Sequence, residues 1–225
     1  MDSAAGSGHS ARVTSAAESN GLHATCGLLV KTPDAWVESA IPSLPTLLVE
    51  QAHLEKKAAA AAMRFLFSTG REPWIQRALS CLAREELVHF ERTLRLLDQR
   101  GETFSTLSPS RYADRLKAVV ASTMPERQVD ELLVSSLIEA RSHERMEALG
   151  LALRGRDDAA SEFYLDLVEA EARHRCIYLD IAVSIVGERE VERRFARLAQ
   201  VEREAIEQRD DEIRLHSGHG AHVGG

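Results

Sequence analysis

Two Glu-x-x-His pairs, Glu86 with His89 and Glu171 with His174, are the residues of this chain whose types and spacing speak first of chemistry. Three residues is about one helical turn. Each pair therefore places a carboxylate and an imidazole on one helix face, where both reach a single metal ion. The motif alone is weak. About one such pair is expected by chance for this composition, and the chain has three, Glu50-x-x-His53 being the other. Order and spacing say more. Glu55 precedes Glu86 by 31 residues and Glu139 precedes Glu171 by 32. Each half reads Glu and then, one helix hairpin later, Glu-x-x-His.

The surrounding residues predict that these groups face inward. Leu48, Ala52, Glu55, Ala59, Ala62 and Leu66 repeat at three or four residues, as do Leu79, Leu82, Glu86, His89, Thr93 and Leu97. Two further stripes run Leu132, Ser136, Glu139, His143, Met146, Gly150, Leu153 and Leu167, Glu171, His174, Tyr178, Ile181, Ile185. Four converging buried carboxylates repel one another, so a cation must sit among them. A Glu from each of two helices plus Glu-x-x-His from each of two others is the ligand pattern of di-iron carboxylate bundles. Mixed carboxylate and imidazole ligands suit iron or manganese better than zinc. Two ferrous ions with open positions can activate O₂, while the protein supplies position and a dry pocket.

Neighbouring residues read less sharply. Glu50 lies roughly 140° around the helix from Glu55 and shares a stripe with Thr46, Lys57 and Arg64, so Glu50 and His53 are expected on a solvated face. His143, one turn after Glu139, fits a core residue, a hydrogen-bonding neighbour of the ligands or an extra ligand. Tyr178, one turn after His174, fits a hydrogen-bond partner of the site or plain packing. Cys81 and Cys176 read as small buried hydrophobes.

The elements that must position these groups are all helical. A short segment around Trp36 follows Pro33. Long helices are expected at about 43–69, 73–100, 126–154 and 157–186, a shorter one after residues 108–110, and a charged one at about 188–213. Pro73 opens the second, and Gly70, Gly101, Gly155 and Gly187 punctuate the ends. The fold class is all-α, a four-helix bundle with extra helices. Residues 1–25 and 214–225 read as flexible tails flanking one domain at 26–213. Five of the nine histidines, His9, His23, His216, His219 and His222, fall in those tails.

Composition agrees. Hydrophobic residues are 44% and charged residues 28%, ordinary for a globular protein, while aromatics at 5% are few for a β-sandwich. The net charge of −7 excludes a uniformly basic nucleic-acid coat, though not a local basic face. No apolar stretch approaches a membrane span, and no secretory signal is expected. Three scattered cysteines form no C-x-x-C pair and favour a reducing, cytoplasmic setting. No Gly-rich phosphate loop or G-x-S-x-G motif occurs.

The stretches HLEKKAA around Glu55, LAREELVHFE around Glu86, SRYADRL at 110–116, IEARSHERM around Glu139 and EAEARHRCIYL around Glu171 resemble the bacterial tRNA 2-methylthio-isopentenyladenosine hydroxylases. The resemblance covers about residues 28–206. It implies a ferritin-like fold and a non-haem di-iron monooxygenase, with Glu55, Glu86, His89, Glu139, Glu171 and His174 as ligands of two iron ions. It also implies a substrate, the hypermodified adenosine beside the tRNA anticodon, hydroxylated on its isopentenyl group with O₂ and an external electron donor. Where that family commonly has Cys after Glu-Ala-Arg-Ser, this chain has His143, which leaves the ligand set intact.

Support for an RNA partner from the residues themselves is modest. Of the 28 basic residues 24 are Arg, the better phosphate and stacking residue. Lys56 or Lys57 with Arg141 or Arg145, a turn or two from Glu55 and Glu139, are expected to point outward and form an RNA rim; the segment Arg111–Lys117 is the alternative. Two other readings stand beside this one. A di-iron oxygenase of the quinone-hydroxylase type wants an apolar membrane-facing helix, which the Arg-rich stripes do not offer. A ferritin-like iron-handling protein would assemble a symmetric shell.

Overall fold

A computed structural model describes residues 27–218. Its seven regular elements are all helices: α1 (Asp34–Ala40), α2 (Leu44–Ser68), α3 (Pro73–Gln99), α4 (Tyr112–Lys117), α5 (Glu126–Leu153), α6 (Asp158–Val186) and α7 (Glu188–Glu207). Helices α2 and α3 form one hairpin and α5 and α6 another, and the two pack as a four-helix bundle. Prolines in the first turns of α2 and α3 cost no hydrogen bond there. Asp157 caps α6 by accepting from Ala160 N at 3.1 Å. Gly187 takes φ +81 between α6 and α7, a conformation costly for any residue with a Cβ.

Two apolar cores occupy the bundle. One gathers Phe65, Leu79, Leu82, Leu132, Leu137 and Ile181, with α7 contributing Phe195 and Leu198. The other gathers Trp36, Leu47, Leu97, Leu149, Leu167 and Leu215. On every long helix the carboxylate-bearing stretch lies between the two: Glu55 on α2, Glu86 and His89 on α3, Glu139 on α5, Glu171 and His174 on α6. The bundle is thus an apolar body cut across its middle by one polar belt.

The helix boundaries match expectation closely except at the end. Helix α7 stops at Glu207 rather than near 213, and residues 208–218 fold back along the bundle. The expected flexible tail from 214 is therefore corrected at its start, because Arg214, Leu215, His216 and Ser217 are buried. Trp36 Nε1 donates to Arg214 O (3.1 Å), Arg145 Nη1 donates to Leu215 O (2.6 Å), and Leu215 N donates to Glu50 Oε2 (2.6 Å). Gly218 closes the segment, donating its N–H to Asp210 Oδ2 at 2.7 Å, and a Cβ there would lie 1.6 Å from Gln208 O. The N-terminal tail expectation and residues 219–225 lie outside the described residues.

Candidate metal centre

The expected stripes on α2, α3, α5 and α6 converge on one buried cluster. Glu55, Glu86, His89 and Glu171 each offer a ligand atom within 4.8 Å of the others. His89 Nδ1 lies 3.7 Å from both Glu55 Oε2 and Glu86 Oε2. His174 Nδ1 lies 2.7 Å from Glu86 Oε1, which joins the two hairpins across the belt. Glu139 joins through its contact with Glu171. The two imidazoles stand with ring centroids 6.0 Å apart. All six side chains expected at the site are buried together.

Electrostatics show what the cluster wants. Burial, then the charges of the other carboxylates, pushes Glu86 and Glu171 well above the usual range. Burial pushes Glu139 up to about 7. Burial also works to raise Glu55, but polar interactions with His89 and Glu86 outweigh it and hold that carboxyl below its ordinary value. The atoms that face inward are the unpaired ones. Glu86 Oε1 and Oε2, His89 Nδ1 and His174 Nδ1 make no well-aligned hydrogen bond among the described residues. His174 Nδ1 and Glu86 Oε1 are close without the alignment of a hydrogen bond. Buried polar atoms left in this way are costly, and divalent cations bound among them would satisfy them. The donor set, oxygen-rich with two imidazoles, fits iron.

Sequence reasoning misses the groups that orient the ligands. Glu85 Oε2 sits 2.7 Å from His174 Nε2, which leaves Nδ1 to face the cluster. Gln51 Nε2 donates to Glu55 Oε1 at 2.6 Å. Gln51 could have been found, since it lies one turn before Glu55 on α2; Glu85 depends on how α6 packs against α3, which no local pattern encodes. The solvated face expected for Glu50 is wrong. Glu50 is buried, because the returning segment 214–217 covers its face. His53 is half-buried, its Nε2 2.8 Å from Ser105 O.

The remaining expectations divide. Tyr178 is buried, and burial and the carboxylates Glu139, Glu86 and Glu171 raise its phenol; its hydroxyl has no hydrogen-bond partner among the described residues. His143 is half-buried, and the charged groups that act on it are Glu147, Arg175 and Glu144 rather than the cluster carboxylates. Cys81 is exposed and Cys176 half-buried, so neither is the core residue expected.

The expected outward rim of Arg141 and Arg145 is wrong, since both guanidinium groups are fully buried. Arg141 forks onto the buried Glu202 of α7 (2.8 and 3.0 Å), pairs with Glu144 and donates to Val30 O (3.0 Å). Arg145 donates to Thr32 Oγ1 (3.1 Å) and Leu215 O and stacks over Trp36 at 4.4 Å. Helix α5 is covered on nearly every side by α6, α7 and the segments that flank the bundle, so it has no outer face there.

A cavity of about 1010 Å³ reaches the cluster, with Glu55, Glu86, Glu139, Glu171 and Tyr178 in its wall. Leu54, Ala58, Ala61, Val134, Ile138 and Met146 add apolar lining. Lys57, Arg64, Lys117 and Arg127 also line it and reach solvent. Arg64 and Arg127 pair with Glu131, whereas Lys57 and Lys117 make no ion pair among the described residues. Lys56 is exposed too, its Nζ 5.0 Å from the Phe104 ring centroid. No helix of the described residues is long and apolar enough to cross a membrane.

A four-helix bundle with such a carboxylate and imidazole belt defines a protein of the ferritin-like class. Within that class the chain belongs to the family described as tRNA-(MS[2]IO[6]A)-hydroxylase (MiaE), whose model matches residues 23–217. It is 39% identical over 187 residues to the tRNA 2-(methylsulfanyl)-N(6)-isopentenyladenosine(37) hydroxylase of Pseudomonas putida, covering 83% of this chain and 90% of that one. The protein of the same name from Salmonella typhimurium is 34% identical over 150 residues, covering 65% of this chain and 54% of that one. Among solved structures, Protein 43 with aldehyde deformylating oxygenase activity from Synechococcus superposes with a TM-score of 0.80 at 37% identity, covering 85% of this chain and 96% of that one.

Proposed function

We propose that this chain is a cytoplasmic di-iron monooxygenase that hydroxylates the isopentenyl group of the 2-methylthio-isopentenyladenosine beside the tRNA anticodon. The observation that carries this reading is the meeting of the Glu/His cluster with a cavity that is apolar in part and bears solvent-facing cations. The names of the two curated relatives supply the substrate. In this reading Glu55, Glu86, His89, Glu139, Glu171 and His174 hold two iron ions. The ions would supply O₂ activation, with one oxygen atom entering a C–H bond of the isopentenyl group and the other leaving as water, two electrons coming from an external donor and two protons from solvent.

The remaining work belongs to the chain's own residues. Glu85 holds the His174 imidazole by Nε2 and so aims Nδ1 at the metal. Leu54, Ala58, Ala61, Val134 and Ile138 exclude water and match an isopentenyl tail. The target base is too bulky to react inside the anticodon stack, so it leaves the stack and enters tail first. Unstacking costs a few kcal/mol, least in a single-stranded loop. Phosphate contacts from Lys57, Lys117, Arg64 and Arg127, with Lys56 beside them, offset that cost.

The test is mass analysis of nucleosides from isopentenylated tRNA incubated with iron-loaded protein, O₂ and a reductant. The expected product is the isopentenyl nucleoside carrying one more oxygen. Unchanged tRNA alongside deformylation of an aldehyde would replace this reading with the activity named for the Synechococcus neighbour.

A further inference from the structure

Resting on that reading of the substrate, we propose that Gln51 is a specificity-determining residue whose side-chain oxygen accepts the exocyclic N6–H of the isopentenyladenine. Gln51 lies on α2 one turn before Glu55, is 1% exposed and lines the cavity. Its Nε2 donates to Glu55 Oε1 at 2.6 Å. An ionised carboxylate only accepts, so this bond fixes the amide with its NH₂ toward Glu55 and its Oε1 on the other side. That oxygen is buried and has no hydrogen-bond partner among the described residues.

The neighbouring polar groups of the cavity wall are already engaged. Glu50 accepts from Leu215 N, and Ser142 Oγ contacts His216 Nε2 at 3.0 Å. Among the described residues two neutral groups of the wall are left over, Gln51 Oε1 and the Tyr178 hydroxyl; the hydroxyl can donate to the cluster carboxylates, so Gln51 Oε1 is the one that can only accept. A buried acceptor is expensive to strand, so a cavity that carries one is matched to a ligand with a donor. An isopentenylated adenine has a single N–H on its exocyclic nitrogen. The terminal carbons of the tail lie four bonds beyond that nitrogen, roughly 5 Å at ordinary bond lengths. A donor held by Gln51 thus leaves the tail long enough to pass Glu55 and reach the metal cluster. Unmodified adenine also carries the donor, so discrimination against it falls to the apolar lining, which its missing tail leaves unfilled.

The experiment measures anaerobic binding of metal-loaded protein to three anticodon stem-loop RNAs. One carries isopentenyladenine, one its isostere with an ether oxygen in place of N6–H, and one plain adenine. Wild type is expected to prefer the N–H form over the ether by roughly tenfold or more, as for a buried acceptor left unpaired. Gln51→Met, apolar and of similar length, should bind both tailed RNAs alike. Gln51→Leu provides a second apolar replacement, and metal content checks that each variant is folded and loaded. Equal binding of the two tailed RNAs by wild type overturns the inference while leaving the substrate reading in place. A preference that survives both substitutions also overturns it, since the N–H is then read elsewhere. Equal binding of tailed and plain RNA by wild type removes the substrate reading and the inference with it.

Discussion

His174 on α6 is gripped from outside the metal cluster by Glu85 on α3, Nε2 to Oε2 at 2.7 Å, while its Nδ1 meets Glu86, the very next residue. Adjacent carboxylates thus take opposite edges of one imidazole. Glu85 is itself tied to Arg173 at 3.5 Å, and it stays ionised because hydrogen bonding to His174 and the nearby cations outweigh the burial that would raise it. Replacing Glu85 by Ala is expected to weaken metal affinity by about ten- to a hundredfold with the helices intact. Metal titration of the variant checks this, and undiminished affinity would remove Glu85 from the site.

Glu86 is buried and repelled by Glu171, Glu55 and Glu139, and both effects raise its carboxyl well above the usual range. Glu86→Gln removes a charge the metal-free protein tolerates badly. The chelated variant is expected to melt above chelated wild type, and added iron should no longer raise its Tm. The same substitution, or His174→Ala, should abolish hydroxylation. A loaded variant with full turnover would refute the ligand assignment.

Glu50 predicts a pH dependence. Burial raises its carboxyl to about 7, against the Leu215 N–H and the cations Arg214, Lys57 and Arg145. The folded protein therefore binds the proton more tightly than the unfolded chain, whose carboxyl titrates near its ordinary value of 4.5. By linkage this group's contribution to stability is present below pH 4.5 and falls as pH rises from there to about 7. The full span is of order 3 kcal/mol, at about 1.36 kcal/mol per unit. Glu50→Gln should flatten this portion of the stability profile in denaturant titrations and stabilise the protein above neutrality.

Lys57 and Lys117 line the cavity on separate helices, without ion pairs among the described residues. A Lys57→Ala/Lys117→Ala protein should bind tRNA more weakly. Its log K against log salt slope should be shallower by about one unit for each phosphate no longer neutralised. An unchanged slope would place the RNA on another face.

Arg141 gives the opposite outcome. Its partner Glu202 is fully buried, so Arg141→Ala strands a charge and should cost about 3–5 kcal/mol of stability. Replacing both by Leu should recover most of that stability in chemical denaturation. A salt-slope change with stability unaltered would mean that Arg141 is an RNA contact after all.

Lys57 and Arg141 mark the boundary of what the sequence makes legible. The inward period of α2, α3 and α6 is plain because each has one covered face, and Glu55, Glu86, His89, Glu171 and His174 can be read from it. Helix α5 is covered almost all round, so its period identifies Glu139 but cannot say that Arg141 and Arg145 face other protein. Glu50 escapes for a related reason. Its cover comes from residues 214–217, with Leu215 165 positions away, in a stretch whose Gly, His and Ser content resembles a tail. The end of α7 falls short of expectation because QRDDEI is compatible with a helix, but Asp210 is held by Arg115 at 2.6 Å and turns the chain. Local periodicity reports local faces, and the features it misses are contacts between distant segments.

The returning segment also imposes an order of events. Helices α2, α3, α5 and α6 and all six candidate ligands precede it in the chain, whereas His216 in the cavity wall comes from it. On a ribosome the metal-binding belt emerges complete while that wall is still being synthesised. A nascent or nicked chain without residues 208–218 would therefore carry the Glu/His belt with this part of its cavity wall missing. Synthesis makes the belt before its cover, and Trp36, Arg145 and Glu50 are the sockets that receive the returning segment.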